Sequence, residues 1–260
     1  MKYVYPLLPR HGLGNLLFPW ARAVVRSQEN GIPIIAPSWA RVTRIGPWLR
    51  GERYKRYYGG DFTNNGYIKG VRKWWLLHFR RNDIFVEQGM KDFFSPFLKE
   101  QPKIRSELYS IVNPEIVRRC DEIAIADKNG YVAVHVRRGD FQKAGCKTDD
   151  DWFVRAVSAA LELNDAKGCS SIRIFSDGYP EELNFLRDSF KSEQVIVMPK
   201  APAIQDILML SKAKVLVCSP YSTFSMWGVF LGQMPSVWKK GPGLEPPQLY
   251  VGESMEVYVS

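Results

Sequence analysis

Two adjacent arginines close an apolar run in YVAVHVRRGDF, residues 131–141. Paired guanidinium groups suit bidentate hydrogen bonding to phosphate oxygens. At the C-terminal end of a parallel strand they would face the crevice in which α/β sheets hold their ligands. Gly139 permits a sharp turn there, and Asp140 can orient an arginine through an internal ion pair. The same residues equally suit a structural Arg–Asp pair that caps a strand.

Further stretches carry related chemistry. IFSDG (174–178) reads as a strand ending in Ser176-Asp177, where an aspartate can accept from a ribose or a base edge, although Asp-Gly is also an ordinary turn. CSPYSTFSMWG (218–228) sets small hydroxyl residues between a strand and a helix. Backbone N–H groups and the helix dipole make an anion pocket at such a place, and Ser222 or Thr223 would also serve there as a plain N-cap. HGLGN (11–15) puts a GxG turn after a first strand but lacks the third glycine of the dinucleotide pattern. Asn15 either caps the following helix or touches a ligand. Asp149-Asp150-Asp151 has the form of a DxD metal site, yet it opens an amphipathic helix, where capping and dipole favour acids, so no metal is expected. GxSxG is absent, and His11, His78 and His135 lie in unrelated contexts, which leaves a hydrolase triad without support.

The elements that position these residues follow from pattern. KYVYPLLP (2–9) predicts a strand, HGLGN a turn, 16–31 a helix and IPIIAP (32–37) a second short strand, the opening of a parallel sheet. Residues 40–100 predict only short helices and loops. Residues 103–126 predict helix, interrupted at Asn113-Pro114, where asparagine cap and N1 proline form a start signal. From there strand and helix alternate: strands at 131–136, 171–177, 194–199 and 214–220, helices at 148–164, 180–190, 203–213 and 222–232. That alternation predicts a doubly wound α/β domain, with every polar motif at the carboxyl end of a strand.

The chain has 260 residues, enough for one large domain or two of about 130. Hydrophobic content of 45% and charged content of 24% are those of a globular protein. Its four cysteines form no CxxC pair, which argues against zinc and a disulfide framework and fits a reducing compartment. The N-terminus is too short in apolar residues for a secretory signal, and no run of about 18 apolar residues could span a membrane. A cytoplasmic location, or one peripheral to a membrane, is expected.

The net charge of +9 is uneven: residues 50–81 hold nine Lys/Arg against two acids, interleaved with aromatics. Such a segment could meet nucleic acid, an anionic membrane or a sugar-bearing acceptor, or could be a solvated basic face. Within it, VRKWWLLHFRR (71–81) suits a helix that packs or rests on a lipid headgroup layer.

Taken in order, the motifs resemble those of the GDP-fucose-dependent α-1,2-fucosyltransferases of glycosyltransferase family 11. The matching residues are Gly12-Leu13-Gly14-Asn15, His135-Val136-Arg137-Arg138-Gly139-Asp140, Ser176-Asp177, the helix Asp206–Ser211, and Ser222-Thr223-Phe224-Ser225-Met226-Trp227-Gly228. Leu16 and Pro19 stand where the family has glutamines, Pro220-Tyr221 where it has Ser-Asn, and Met226 where it has tryptophan. The resemblance implies a GT-B-like α/β fold: two Rossmann-like domains with parallel sheets facing across a cleft, an acceptor-side domain over 1–128 and a donor-binding domain over 129–260. It implies an inverting transfer of L-fucose from GDP-fucose to a galactoside 2-hydroxyl, without metal or other cofactor. Arg137 would grip the β-phosphate, supported by Arg138 and Asp140. His135 would line the pocket and Asp177 would contact guanine or ribose. Ser222, Thr223 and Phe224 would cradle the diphosphate, and Asn15, beside Gly14, would reach phosphate or fucose. Asp140 is also the candidate base by position, although a structural partner for arginine suits it better. The implied partners are a nucleotide-sugar donor and a glycan acceptor, not nucleic acid, with peripheral membrane contact through 50–81. The alternatives are a GT-B transferase using another nucleotide sugar, or a non-catalytic binder of anionic glycans or nucleic acid built on 50–81.

Overall fold

The computed structural model describes residues 1–39, 58–138, 148–191 and 194–260. The chain forms two compact units that part between Val117 and Arg118.

In the first unit, strand β1 (Tyr3–Leu7) runs into helix α1 (Leu13–Asn30). The helix begins earlier than the glycine pattern predicts, so Gly14 and Asn15 lie in its first turn rather than in a preceding loop. Gly12 takes the cap position, and its carbonyl accepts from the Asn15 amide at 3.0 Å. Helix α2 (Gly70–Phe79) leads to strand β2 (Ile84–Gln88), which pairs in parallel with β1. The run at 32–37 forms only isolated bridges, Val4 with Ile34 and Ile35 with Ile68. Pro33 and Pro37 have no N–H to extend a ladder there. Helix α3 (Gln101–Ile111) ends the unit, and α4 (Pro114–Ala126) carries the chain into the second; they break at Asn113, whose side chain accepts from the Glu115 amide at 3.0 Å.

The second unit is built on a parallel sheet of strands β3 (Tyr131–Val136), β4 (Ser171–Ser176), β5 (Val195–Val197), β6 (Val215–Val217), β7 (Ser236–Lys239) and β8 (Glu256–Val259). Their spatial order is β5-β4-β3-β6-β7-β8, and every pairing is parallel. Strand β3 is buried along its whole length, which is why its sequence is a continuous apolar run rather than an alternation. Helix α5 (Asp150–Glu162) buries Trp152, Phe153, Ala156, Val157 and Ala160, one helical stripe, against Val132, Val134, Val215 and Val217. Helices α6 (Asn184–Ser189), α7 (Ala203–Leu210) and α8 (Thr223–Gly232) supply the other crossovers. The expected helix at 180–190 opens as a 3-10 turn over Pro180–Leu183 before α6 begins. The α/β class and the parallel sheet are as the sequence predicts.

Candidate functional site

The order of the strands selects one place in the second unit. From β3 the chain crosses to β4 on one side and later returns to β6 on the other. The gap beyond the carboxyl ends of β3 and β6 is therefore a topological switch point, where α/β sheets take ligands. His135-Arg137 leaves β3 there, and Ser219–Ser222 leaves β6.

Ser219 joins these two segments. Its hydroxyl donates to the His135 carbonyl at 2.6 Å and accepts from the Arg137 amide at 2.9 Å. Asp177, just past β4, accepts from the Arg138 amide at 2.6 Å. The backbone of both arginines is thus clamped from the two neighbouring strands.

The side chains of the pair diverge. Arg137 is half-buried. Arg138 is 3% exposed, and its guanidinium lies 5.2 Å from the Phe185 ring centre and 5.9 Å from that of Phe153. It donates to the Thr148 carbonyl at 3.3 Å and to the Asp150 carboxylate. Its Nε has no partner among the described residues. Gly178 makes room for it, since a Cβ there would come within 2.8 Å of Arg138 Cγ.

His135 is buried beside Phe224, with ring centres 5.1 Å apart. Its Nδ1 lies 2.7 Å from Ser225 Oγ and 3.5 Å from Ser222 Oγ. Burial, helped by the charge of Arg137, pushes its pKa down to about 3, so the ring is neutral at physiological pH. Ser222 is the N-cap of α8, its hydroxyl accepting from the Ser225 amide at 3.4 Å. That hydroxyl is buried and committed inside the protein, so Thr223 and Phe224 form the more accessible part of the helix start. Tyr221, immediately before, is half-exposed and holds φ 56°, the left-handed region that disfavours a side chain of its kind.

The structure thus brings together His135, Arg137, Arg138, Asp177, Ser222, Thr223 and Phe224. Gly14 and Asn15 belong to the first unit, and Asp140 lies outside the described residues. Asp149 and Asp150 are engaged with Lys239 and Arg138, respectively. Among the described residues no group of His, Cys, Asp and Glu could hold a metal. Sequence reasoning gave Ser219 and Ser225 no role beside His135 and Arg137, and read Asp150 as a helix-opening acid rather than as the partner of Arg138. Ser225 meets His135 across 90 positions of chain, and only strand order could have signalled that contact.

The positions that depart from the family pattern mostly face inward. Leu16, Pro19, Pro220 and Met226 are buried, so apolar packing stands where the pattern has polar or larger side chains. Asp206, in the first turn of α7, has its carboxyl pushed up to about 8 by burial.

No protein-family model matches the chain. Over 167 residues it is 31% identical to the Caenorhabditis elegans protein svh-11, which carries the name galactoside 2-alpha-L-fucosyltransferase, across 59% of this chain. The chain spans 44% of that relative's length. Among solved structures, it resembles the α-1,6-fucosyltransferase NodZ co-crystallized with GDP, with a TM-score of 0.60, 16% identity, and coverage of 90% of this chain and 93% of that one. NodZ from Bradyrhizobium matches equally well, at a TM-score of 0.60 and 15% identity over 90% of this chain and 93% of that one. POFUT1 in complex with GDP gives a TM-score of 0.57 at 12% identity, over 90% of this chain and 97% of that one. In sequence and in fold, then, the chain is similar to fucosyltransferases, and its fold is GT-B-like.

Proposed function

We propose that the chain transfers L-fucose from GDP-fucose to a glycan hydroxyl, the 2-hydroxyl of a galactoside, with inversion at the anomeric carbon. The carrying observation is the clamp at the switch point: Ser219 and Asp177 fix the backbone of Arg137 and Arg138 beside the start of α8. The similarity to a galactoside 2-alpha-L-fucosyltransferase supports the acceptor, and the fold shared with GDP-bound fucosyltransferases supports the donor.

In this reading the first unit serves the acceptor and the second the donor. Breaking the sugar–phosphate bond leaves negative charge on the β-phosphate of GDP. Arg137 and the N–H groups at the start of α8 stabilise that charge more in the transition state than before it. Preorganised donors of this kind do the work of a metal, so transfer proceeds without one. Arg138 acts as a positioning residue, its own guanidinium being turned onto Phe153, Phe185 and Asp150. His135, held neutral, backs the loop that carries Ser222 and Phe224. Asp177 contacts the nucleoside while it holds the Arg138 amide. Asn15 with Gly14, and Asp140 as partner to an arginine, are assigned on their motifs alone.

The test is transfer from labelled GDP-fucose to a panel of galactosides, in chelator, with the product linkage read by NMR. Fucose on the galactose 2-hydroxyl, abolished in Arg137→Ala, is expected. Transfer from another nucleotide sugar in preference to GDP-fucose, or hydrolysis without transfer across the panel, contradicts the reading.

A further inference from the structure

Helix α2 has an inner and an outer face. Leu76 and Leu77 pack with Tyr3, Tyr5 and Ile35 in the core of the first unit. Lys73 leans the same way, donating to Ser38 Oγ at 2.9 Å and lying 5.6 Å from the Tyr5 ring centre. Opposite them stand Val71, Trp74, Trp75, His78 and Phe79, spaced i, i+3, i+4, i+7 and i+8, which is one helical face. Val71 is 83% exposed, Phe79 64%, Trp74 54% and Trp75 44%. The aromatic rings adjoin: Trp74 lies 4.6 Å from His78 and 5.8 Å from Phe79, between ring centres.

A surface helix normally turns polar groups outward, and a contiguous apolar stripe in that place marks a surface that meets a partner. The rim identifies the partner. Lys69, Arg72 and Arg81 are exposed beside the stripe, Arg80 is paired with Asp83, and no carboxylate occurs between Asp61 and Asp83. A second copy docked here by a two-fold axis would bring that positive rim against itself. A short helix with Trp and Phe outward and cations at its edge is the build of an element that lies in a lipid interface.

We propose that α2 docks this protein on an anionic lipid surface. Val71, Trp74, Trp75 and Phe79 enter the headgroup layer, and Arg72 and Arg81 meet the lipid phosphates and carboxylates. This surface belongs to the first unit and the donor site to the second, and among the described residues no helix is long and apolar enough to cross a membrane.

The experiment is co-sedimentation of the full chain with phosphatidylcholine vesicles, with and without phosphatidylserine, at low and high salt. Partitioning to the anionic vesicles should exceed that to the neutral ones by about tenfold or more and weaken with salt. Trp74→Ser, Trp75→Ser and Phe79→Ser combined should lower it by about tenfold or more at an unchanged melting temperature. Arg72→Gln with Arg81→Gln should narrow the preference for phosphatidylserine about tenfold and leave binding to neutral vesicles unchanged. Ile125→Ser, which removes an equally exposed apolar residue elsewhere, should change nothing. Should the triple variant misfold, Val71→Ser and Phe79→Ser singly must each weaken binding. The proposal is overturned by a wild type that ignores anionic vesicles, or by stripe variants that bind like wild type. A wild-type dimer that the stripe variants dissolve would overturn it too, by making the face a protein interface.

Discussion

The two ends of the six-stranded sheet treat buried charge differently. At the N-terminal end, Asp127 accepts from Ser170, from Ser171 at 2.7 Å and from Arg173 at 2.8 Å, while the Arg173 guanidinium lies 4.7 Å from the Tyr131 ring centre. At the C-terminal end, Arg138 is buried as deeply but keeps an Nε without a partner among the described residues, His135 is held neutral, and Tyr221 sits in the left-handed region. One end satisfies its buried charges fully and so serves stability, whereas the other pairs Arg138 with Asp150 but not through its Nε. That second end fixes the backbone and leaves strain in place, the pattern of a site prepared for a ligand.

The sharpest way to test that contrast is Asp127→Ala. It strands Arg173 in the interior and should cost about 3–5 kcal/mol in chemical denaturation, without altering GDP affinity in the protein that remains folded. The Asp127 carboxyl is held below its ordinary 3.8 by the hydroxyls of Ser170 and Ser171 and by Arg173, which outweigh the opposing effect of burial. Its contribution is therefore present above the ordinary carboxylate range and lost as pH falls through the depressed value.

Gly178→Ala probes the other end. The new Cβ would press on Arg138 Cγ and on the Glu182 carboxylate, and should cost about 1–3 kcal/mol while weakening GDP binding. A variant as stable and as tight as wild type would remove Arg138 from the account. His135 gives a pH signature. The unfolded chain binds a proton near the ordinary value of 6.5 and the folded one only near 3, so stability is full above 6.5 and falls as pH drops toward 3. Between pH ~6.5 and ~4.5 this amounts to about 2 kcal/mol, and His135→Gln should flatten the slope by that amount. The smallest effect expected is a gain. Asn tolerates the left-handed region better than Tyr, so Tyr221→Asn should stabilise the protein by up to about 1 kcal/mol, read as a rise in melting temperature.

The second unit was legible because its strands are buried apolar runs and its helices carry clean stripes, as YVAVHV and Trp152–Ala160 show. Strand β2 was not, because Phe85 and Val86 are both exposed and break the alternation. Strand β7, a short buried run of four residues, and the edge strand β8 were also unread. At the site, residue types pointed to Arg137, Asp177 and Ser222. The division of labour between Arg137 and Arg138 was invisible, since it depends on Phe153, Phe185 and Asp150 brought in from other elements. The exposed stripe of α2 was visible only as a basic-aromatic segment, because sequence alone does not say which face of a helix is covered.

The most direct test of the central claim is calorimetric titration of wild type and Arg137→Ala with GDP, ADP and UDP in the presence of chelator. The account predicts GDP binding to wild type in preference to ADP and UDP, weakened about tenfold to a hundredfold by loss of the charged hydrogen bonds of Arg137. Equal GDP affinity in the two proteins, or equal affinity of wild type for all the nucleotides, would contradict it.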